Sequence, residues 1–538
     1  MVLGQTLITF GRPMVKKLLL GREKLPLYVL LLIFAVVCGF SVWNDSLTYD
    51  EKGHISFGKK ALVGNIEHAS MQKMPISALN ALPFGIQKIG IFVPEQEMNW
   101  LGRLPTIFFA LLLGIFIFIW SKKLYGTLGG YFSLFCYVFC PTIVAHARLA
   151  TTDLYCGLFI FISLYAFRRY VEQTTVTRLL FLSITVGIAQ LTKQTSLLLF
   201  PIFFVLIIWE IFSRLKGKQF HFNKRLLSHF LLSIFIIVLI INLGYSFKGS
   251  FQSLNDYREW FNSEDPEVLS VLPSEQDKSI LTGLDTIPIP LPAGFIEAFI
   301  IGQYYNRFGK GHGPIYIFGD LSQLGHWYYF PVAFLLKTPL STIVLIVVAL
   351  WLTVRSLRFS APTDESALLV TAGTIFFFFS FFTTAQIGIR YLLPVFPLLY
   401  VLVGKILVAG ETMTLKKKSV IAGLSIFLVF SSFSYYPHYI SYFNEICWDR
   451  TTLYKYLADS NLDWNQDNIY LQNYLKLHSN EKNIHVNPEH PTSGKIIVNV
   501  NSLVGITREP FVYEWLRNNY EPVGRIAYSW LYYEIPDQ

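Results

Sequence analysis

Apolar runs of membrane-crossing length recur along the first four fifths of this chain, and they restrict its fold more than any other feature. A helix needs roughly 20 mostly apolar residues to cross the hydrocarbon core. About eleven such segments are read, near residues 25–43, 104–120, 128–145, 153–168, 178–192, 195–213, 227–246, 338–354, 366–384, 389–409 and 419–437. Hydrophobic residues make up 53% of the 538 and charged residues 15%, a balance that excludes a water-soluble enzyme. The expectation is a polytopic α-helical membrane protein.

The formal charge of +9 raises the question of nucleic acid, and its distribution answers it. Basic residues collect in alternate loops: Arg12, Lys16, Lys17, Arg22 and Lys24; Lys122 and Lys123; Arg168, Arg169 and Arg178; Arg214 to Arg225; Arg355 and Arg358; Lys416 to Lys418. The positive-inside rule makes these loops cytoplasmic, so the excess reports orientation and no nucleic-acid partner is expected. The N-terminus is then inside, with a retained signal anchor at Leu25. Loops 44–100 and 247–335 and the tail from 438 lie outside. Of five cysteines, Cys38, Cys136, Cys140 and Cys156 fall in expected spans, and the spacing offers neither a disulfide framework nor a zinc site.

The first outer loop is apolar-rich at Ile55 to Val63 and Ala69 to Ile91, which predicts helices lying in the interface. The second outer segment is longer than a passive connection, with a Pro-rich stretch at Ile287 to Pro292 and a glycine-punctuated basic turn at Arg307 to Pro314. Hydropathy falls after Pro437. Residues 451–458, 463–476, 495–501 and 525–535 then alternate helical and strand patterns, which predicts a membrane module at 1–437 and a small α/β domain at 438–538 on the outer face.

Sorting ionisable residues by side leaves an unusual set at the outer ends of the spans: Asp50, Glu51, His54, Arg148, Asp153, Lys193, Lys337 and Arg390. Charges at membrane boundaries in several helices tend to converge on one cavity. Asp50 and Glu51 are adjacent, so on a helix they point apart; one is a candidate general base and the other a group that orients it. Taken alone, the pair reads first as solvated loop acids, ahead of an active site. Asp153 follows Thr151-Thr152 at a short turn, where capping the next helix also explains it. Arg148, Lys193, Lys337 and Arg390 each read singly as snorkelling side chains, whereas four cations on one face favour an anion such as phosphate. His54, His68, His146, His312 and His326 show no metal-ligand spacing, although Asp50, Glu51 and His54 are a set that could hold a divalent cation.

These residues carry a resemblance. Tyr49-Asp50-Glu51, the run Ala147 to Asp153, Leu191-Thr192-Lys193, Trp327 to Phe330 with Leu336 to Pro339, and the run Gly388 to Pro394 resemble the protein O-mannosyltransferase and aminoarabinose transferase group of GT-C glycosyltransferases. The tail adds Tyr442-Phe443-Asn444-Glu445 and Asp459 to Trp464, which look like the bacterial branch of that group. The resemblance implies a GT-C fold in a bacterial plasma membrane. It also implies transfer of a sugar from a polyprenyl-phosphate carrier to a protein, lipid or glycan acceptor on the non-cytoplasmic face, with inversion. By that similarity Asp50 is the base and Glu51 its companion. Arg148, Lys193, Arg390, Tyr391 and Lys337 become candidates for the donor phosphate, and Asp153 and His54 support them. The chain departs from the group at Ile446 to Asp449 and at Asn465, where glycines are usual. A transporter or lipid flippase is the alternative from another class. It would favour paired halves with broken helices, and no internal symmetry is found.

Overall fold

The computed structural model describes residues 24–66, 68, 73–89, 92–216, 224–272, 285–309, 311–357, 361–408, 413–481 and 483–536. The basic positions Arg12, Lys16, Lys17, Arg22, Lys218 and Arg358, and residues 69–72, 90 and 91 of the stretch 69–91, lie outside the described residues; the rest of that stretch is helical in short pieces from Pro75 to Ile89.

Every one of the eleven apolar segments is helical over most of its length. The first half holds α1 (Leu25–Ser41), α2 (Tyr49–Ala61), α3 (Glu95–Val138), α4 (Pro141–Ala147), α5 (Asp153–Glu172), α6 (Val176–Gln190), α7 (Leu199–Lys216) and α8 (Lys224–Gly244). α3 is continuous only in its bonding. At Gly126 the backbone takes φ 84°, a conformation that a side chain would strain, and the chain folds back on itself. Ser121 then meets Ser133 at 2.7 Å and Tyr137 donates to the Ala110 carbonyl at 2.8 Å. The two arms are the segments read at 104–120 and 128–145. The second arm ends at Val138 because Pro141 has no N–H with which to continue it, and α4 restarts with that proline in its first turn.

Long segments outside the apolar helices separate the two halves. They contain α9 (Leu254–Glu264), α10 (Ala293–Phe308) and an antiparallel hairpin of β1 (Ile315–Ile317) and β2 (Asp320–Ser322). α11 (Tyr329–Lys337) meets α12 (Leu340–Ser356) at 114° across Thr338-Pro339. α13 (Asp364–Phe382), α14 (Val395–Val403) and α15 (Leu415–Phe433) follow. Among the described residues, five helical stretches are long and apolar enough to cross a membrane, or six if the bent α11–α12 pair is one span. α1, α6 and the stretch Val395–Leu407 are apolar but shorter.

The tail adds α16 (Asn468–Leu477) and a four-stranded sheet in the order β3 (Ile484–Val486), β4 (Gly494–Asn499), β6 (Trp530–Ile535), β5 (Gly524–Ile526). β3 and β4 run parallel, and the other pairs are antiparallel. The expected strand at 525–535 is therefore a hairpin. The expected helix at 463–476 starts only at Asn468, because the residues before it spend their polar groups on tertiary contacts. One apolar cluster runs from Phe34 through Phe396 and Tyr400 to Tyr442, Ile496 and Leu531, so the tail is packed onto the helices.

At the opposite end of α5, Asp364 accepts from Trp120 Nε1 at 2.9 Å and from Arg168 Nε at 3.0 Å, and it pairs with Arg169. This knot ties α3, α5 and α13 together far from the residues described next.

Candidate active site

α2 begins at Tyr49, directly after Thr48, whose N–H donates to Glu51 Oε2 at 2.8 Å. A carboxylate reaching back to the residue before its helix is half of a capping box, and it fixes where the helix starts. Successive helical residues diverge by about 100°. Glu51 consequently points inward, where it is fully buried, and Asp50 points outward with its side chain 23% exposed.

Glu51 has no acceptor position to spare. Arg103 of α3 grips it with Nε at 2.8 Å and Nη2 at 2.7 Å, and the Ala150 N–H donates to Oε1 at 2.8 Å. Burial alone would raise this carboxyl. Arg103 and the two backbone N–H groups outweigh burial and hold it below the usual range. Arg103 also donates to the carbonyls of Val42, Asp45 and Ser46, so the pair fastens α2, α3, the loop after α1 and the 148–153 turn together.

Asp50 faces a different environment. Arg390 Nη1 donates to Oδ2 at 2.7 Å, and Lys73 Nζ stands 3.8 Å from Oδ1. Burial pushes this carboxyl up, Arg390 and Lys73 pull it down, and the balance leaves it at about 2. Arg390 lies on the tight turn Ile389–Leu392, with its guanidinium 4.0 Å from the ring centre of Trp464. Its Nε is buried without a hydrogen-bond partner. Beside this pair, Asp153 at the start of α5 binds Lys193 at 2.5 Å, and Lys193 lies 4.2 Å over the ring of Tyr391. Asp153 and Lys193 are both close enough to act electrostatically on Lys73. The cluster thus holds two carboxylates, Asp50 and Asp153, against three cations, Lys73, Lys193 and Arg390.

The tail builds one wall. Asn461 Oδ1 accepts from the Ile389 N–H at 3.0 Å, and its amide reaches Tyr329 Oη at 2.8 Å. Ser460 binds the Ile387 carbonyl, and a Cβ on Gly388 would fall 2.3 Å from Ser460 Oγ. Asn465, at a usual glycine position of the resembled group, has φ 75°, a conformation that asparagine tolerates better than most residues. Asp459 also takes a left-handed backbone, at φ 55°. Burial raises its carboxyl to about 7 even though Arg390 pulls it down.

The structure brings Asp50, Asp153, Lys193, Arg390 and Tyr391 together. It does not bring Arg148 or Lys337 to them. Arg148 is fully buried against Asp45, with Nη1 2.8 Å from Oδ2, and donates to the Ser41 carbonyl at 2.6 Å. Lys337 is buried too, donating to the carbonyls of Ile440 at 2.9 Å and Asn461 at 2.5 Å. Lys337 spends its donors on holding the fold, and Arg148 is turned to Asp45 and Ser41 through Nη1, with Nε and Nη2 buried without a hydrogen-bond partner. His54 meets Ser77 Oγ at 3.1 Å, and burial, aided by Lys73, lowers its ring to about 3. Asp50, Glu51 and His54 therefore do not converge on a common cation. Among the described residues no group of three or more His, Cys, Asp or Glu is placed to hold a metal. Lys73, Arg103 and Asp459 were missed as site residues. Lys73 sits in the apolar-rich stretch 69–91, where it reads as one lysine of an interfacial segment, whereas Asp459 and Trp464 belong to the tail motif.

Residues 86–242 match the family described as dolichyl-phosphate-mannose-protein mannosyltransferase. The chain resembles the protein O-mannosyltransferase and aminoarabinose transferase group of GT-C glycosyltransferases. The matched stretch takes in Arg103, Asp153 and Lys193, and excludes Asp50 and Arg390. No curated protein sequence matches the chain. Among solved structures, ArnT from Cupriavidus metallidurans in the apo state is 13% identical over 94% of this chain and 97% of that one, with a TM-score of 0.48. The same protein bound to undecaprenyl phosphate gives 0.46. The archaeal oligosaccharyltransferase AglB from Archaeoglobus fulgidus, in complex with an inhibitory peptide and a dolichol-phosphate, is 12% identical over 84% of this chain and 60% of that one, with a TM-score of 0.46.

Proposed function

We propose that this protein is a membrane glycosyltransferase that moves a sugar from a polyprenyl-phosphate carrier to an acceptor on the extracytoplasmic face. One observation carries the reading: a partly exposed carboxylate, Asp50, stands among three cations at the ends of several helices, with one positive charge in excess. The family matched by residues 86–242 is named for a donor of this kind. The basic loops then face the cytoplasm, about eleven helices cross the membrane, and the part after residue 437 is an outer α/β domain joined to the membrane module.

The chemistry follows from the placement. The acceptor oxygen or nitrogen attacks the anomeric carbon, its proton passes to Asp50, and the bond from that carbon to the phosphate oxygen breaks with its electron pair leaving on phosphate. With Asp50 as the one dominant base, a single displacement with inversion is the simpler mechanism. A positioned base contributes about 10²–10⁴ in rate. Arg390, Lys193 and Lys73 stabilise the charge that develops on the departing phosphate, where preorganised donors act most strongly. Tyr391 places Lys193. Glu51 positions Asp50 by fixing the first turn of α2, and His54 stays neutral and packs that helix against Ser77. Mannose follows from the family's name, and a protein Ser/Thr, a lipid or a surface glycan suits the acceptor.

The test uses membranes containing the full chain and a panel of labelled polyprenyl-phosphate sugars. Asp50→Asn should abolish transfer while the purified protein still folds, as a cooperative melting transition shows. Normal turnover by that variant would remove Asp50 from the chemistry.

A further inference from the structure

We infer that donor binding and base activation are a single event: the carrier phosphate takes Arg390 away from Asp50, and the exchange frees Asp50 to accept a proton. The inference rests on the transferase reading above and deepens it.

The two partners of the ion pair differ in exposure. Arg390 is held: its side chain is 8% exposed, it lies against Trp464 at 4.0 Å, and Asn461 and Ser460 bind the backbone on either side of Gly388. An anion must therefore come to Arg390. Asp50 is the more exposed partner, at 23% on the first turn of α2, so a ligand can reach the pair from its side. Of the five N–H donors of a guanidinium, Asp50 takes one. A carboxylate and a phosphate compete for the same fork, and the donor's phosphodiester can bring both of its non-bridging oxygens to it, where Asp50 presents one. In the resting pair, Asp50 also faces Lys73 and the N-terminal end of α2, both of which stabilise its anion. So long as Arg390 keeps that contact, Asp50 is a poor proton acceptor. Once Arg390 and Lys73 turn to phosphate, only the helix terminus still holds the carboxylate down. The arrangement couples readiness of the base to occupancy of the donor site, which protects the cluster from idle proton chemistry when no donor is bound.

The consequence runs against the usual expectation for a site residue: removing the charge of Asp50 should strengthen carrier binding. The experiment measures binding of undecaprenyl phosphate to the full-length protein in nanodiscs of neutral lipid, for wild type, Asp50→Asn, Arg390→Gln and the double variant. A hydrogen bond to a charged group is worth enough that Asp50→Asn should bind about tenfold tighter. The gain should vanish in the Arg390→Gln background, where there is no cation to release. Melting curves of the four proteins establish that each is folded. Equal or weaker binding by Asp50→Asn, with wild type still binding, overturns the exchange and leaves the transferase reading standing. A gain that survives in Arg390→Gln also overturns it. Failure of wild type to bind undecaprenyl phosphate overturns the donor reading itself, and the exchange with it.

Discussion

Replacing Glu51 with glutamine should unfold this protein far more readily than replacing its neighbour Asp50 with asparagine, although the two changes are chemically alike. Glu51 accepts four hydrogen bonds, two from Arg103 at 2.8 and 2.7 Å and one each from the N–H groups of Ala150 and Thr48 at 2.8 Å. Glutamine keeps one acceptor oxygen and turns an NH2 group toward donors. It also leaves the Arg103 guanidinium, 1% exposed, without its counter-charge. Breaking a buried pair in this way costs about 3–5 kcal/mol, a large share of the roughly 5–15 kcal/mol that holds typical domains together. The assay is thermal melting by tryptophan fluorescence in detergent, with recovery of monodisperse protein as the second readout. The Glu51→Gln, Arg103→Gln and combined variants are compared with Asp50→Asn. Asp50→Asn should lose less, because Asp50 is 23% exposed and gives Arg390 one hydrogen bond, and Glu51→Gln should lose most of its folded yield. The combined variant should recover part of the loss, because no orphaned charge remains. A Glu51→Gln protein that melts like wild type yet fails to transfer sugar would refute the reasoning and move Glu51 into the chemistry.

Trp464→Ala removes the aromatic face that holds Arg390. A desolvated cation–π contact is worth about 0.5–2 kcal/mol, so binding of undecaprenyl phosphate should weaken about 2- to 30-fold, and an unchanged affinity would detach the tail from the site. Asp459 carries a pH signature with a definite sign. Its folded carboxyl titrates near 7, against about 3.9 for an unfolded aspartate. Between those values the native state keeps a proton that the unfolded chain has lost. Its contribution to stability therefore falls as pH rises from about 4 to about 7, and is flat above that. Asp459→Asn, whose side chain suits the left-handed backbone, should melt with a shallower decline over that window, and an identical slope in both proteins would contradict the assignment.

Much of this was legible in the sequence because hydrophobic length is a strong signal and bilayer thickness makes it quantitative. The eleven apolar segments each contain helix, and the outer-face charges at Asp50, Asp153, Lys193 and Arg390 converge. What failed was the separation of buried structural charge from available charge. Arg148 and Lys337 look like Lys193 in sequence, since all three follow apolar stretches at the outer side. Their partners, Asp45 and the carbonyls of Ile440 and Asn461, come from distant parts of the chain. Lys73 was invisible for the same reason in reverse. It looks like any lysine of an interfacial segment, and only the tertiary fold sets it opposite Asp50. The Gly126 reversal was implied by two apolar runs too close together for any other connection, but its geometry was not.

The cluster's charge count gives the reading its sharpest physical content. A polyprenyl-phosphate sugar is a phosphodiester with one negative charge, which matches the single positive excess left by Lys73, Lys193 and Arg390 over Asp50 and Asp153. As the bond to the sugar breaks, phosphate becomes a monoester and gains negative charge, while the sugar carbon becomes positive beside Asp50. The field of the site therefore favours the transition state over the bound donor, which is the difference that accelerates a reaction. Asp459 would cancel the excess if it were ionised. Its burial keeps it largely protonated below about 7, so on this reading donor binding should slacken as pH rises past neutrality, and the same Asp459→Asn substitution that flattens the stability profile should remove that slackening as well.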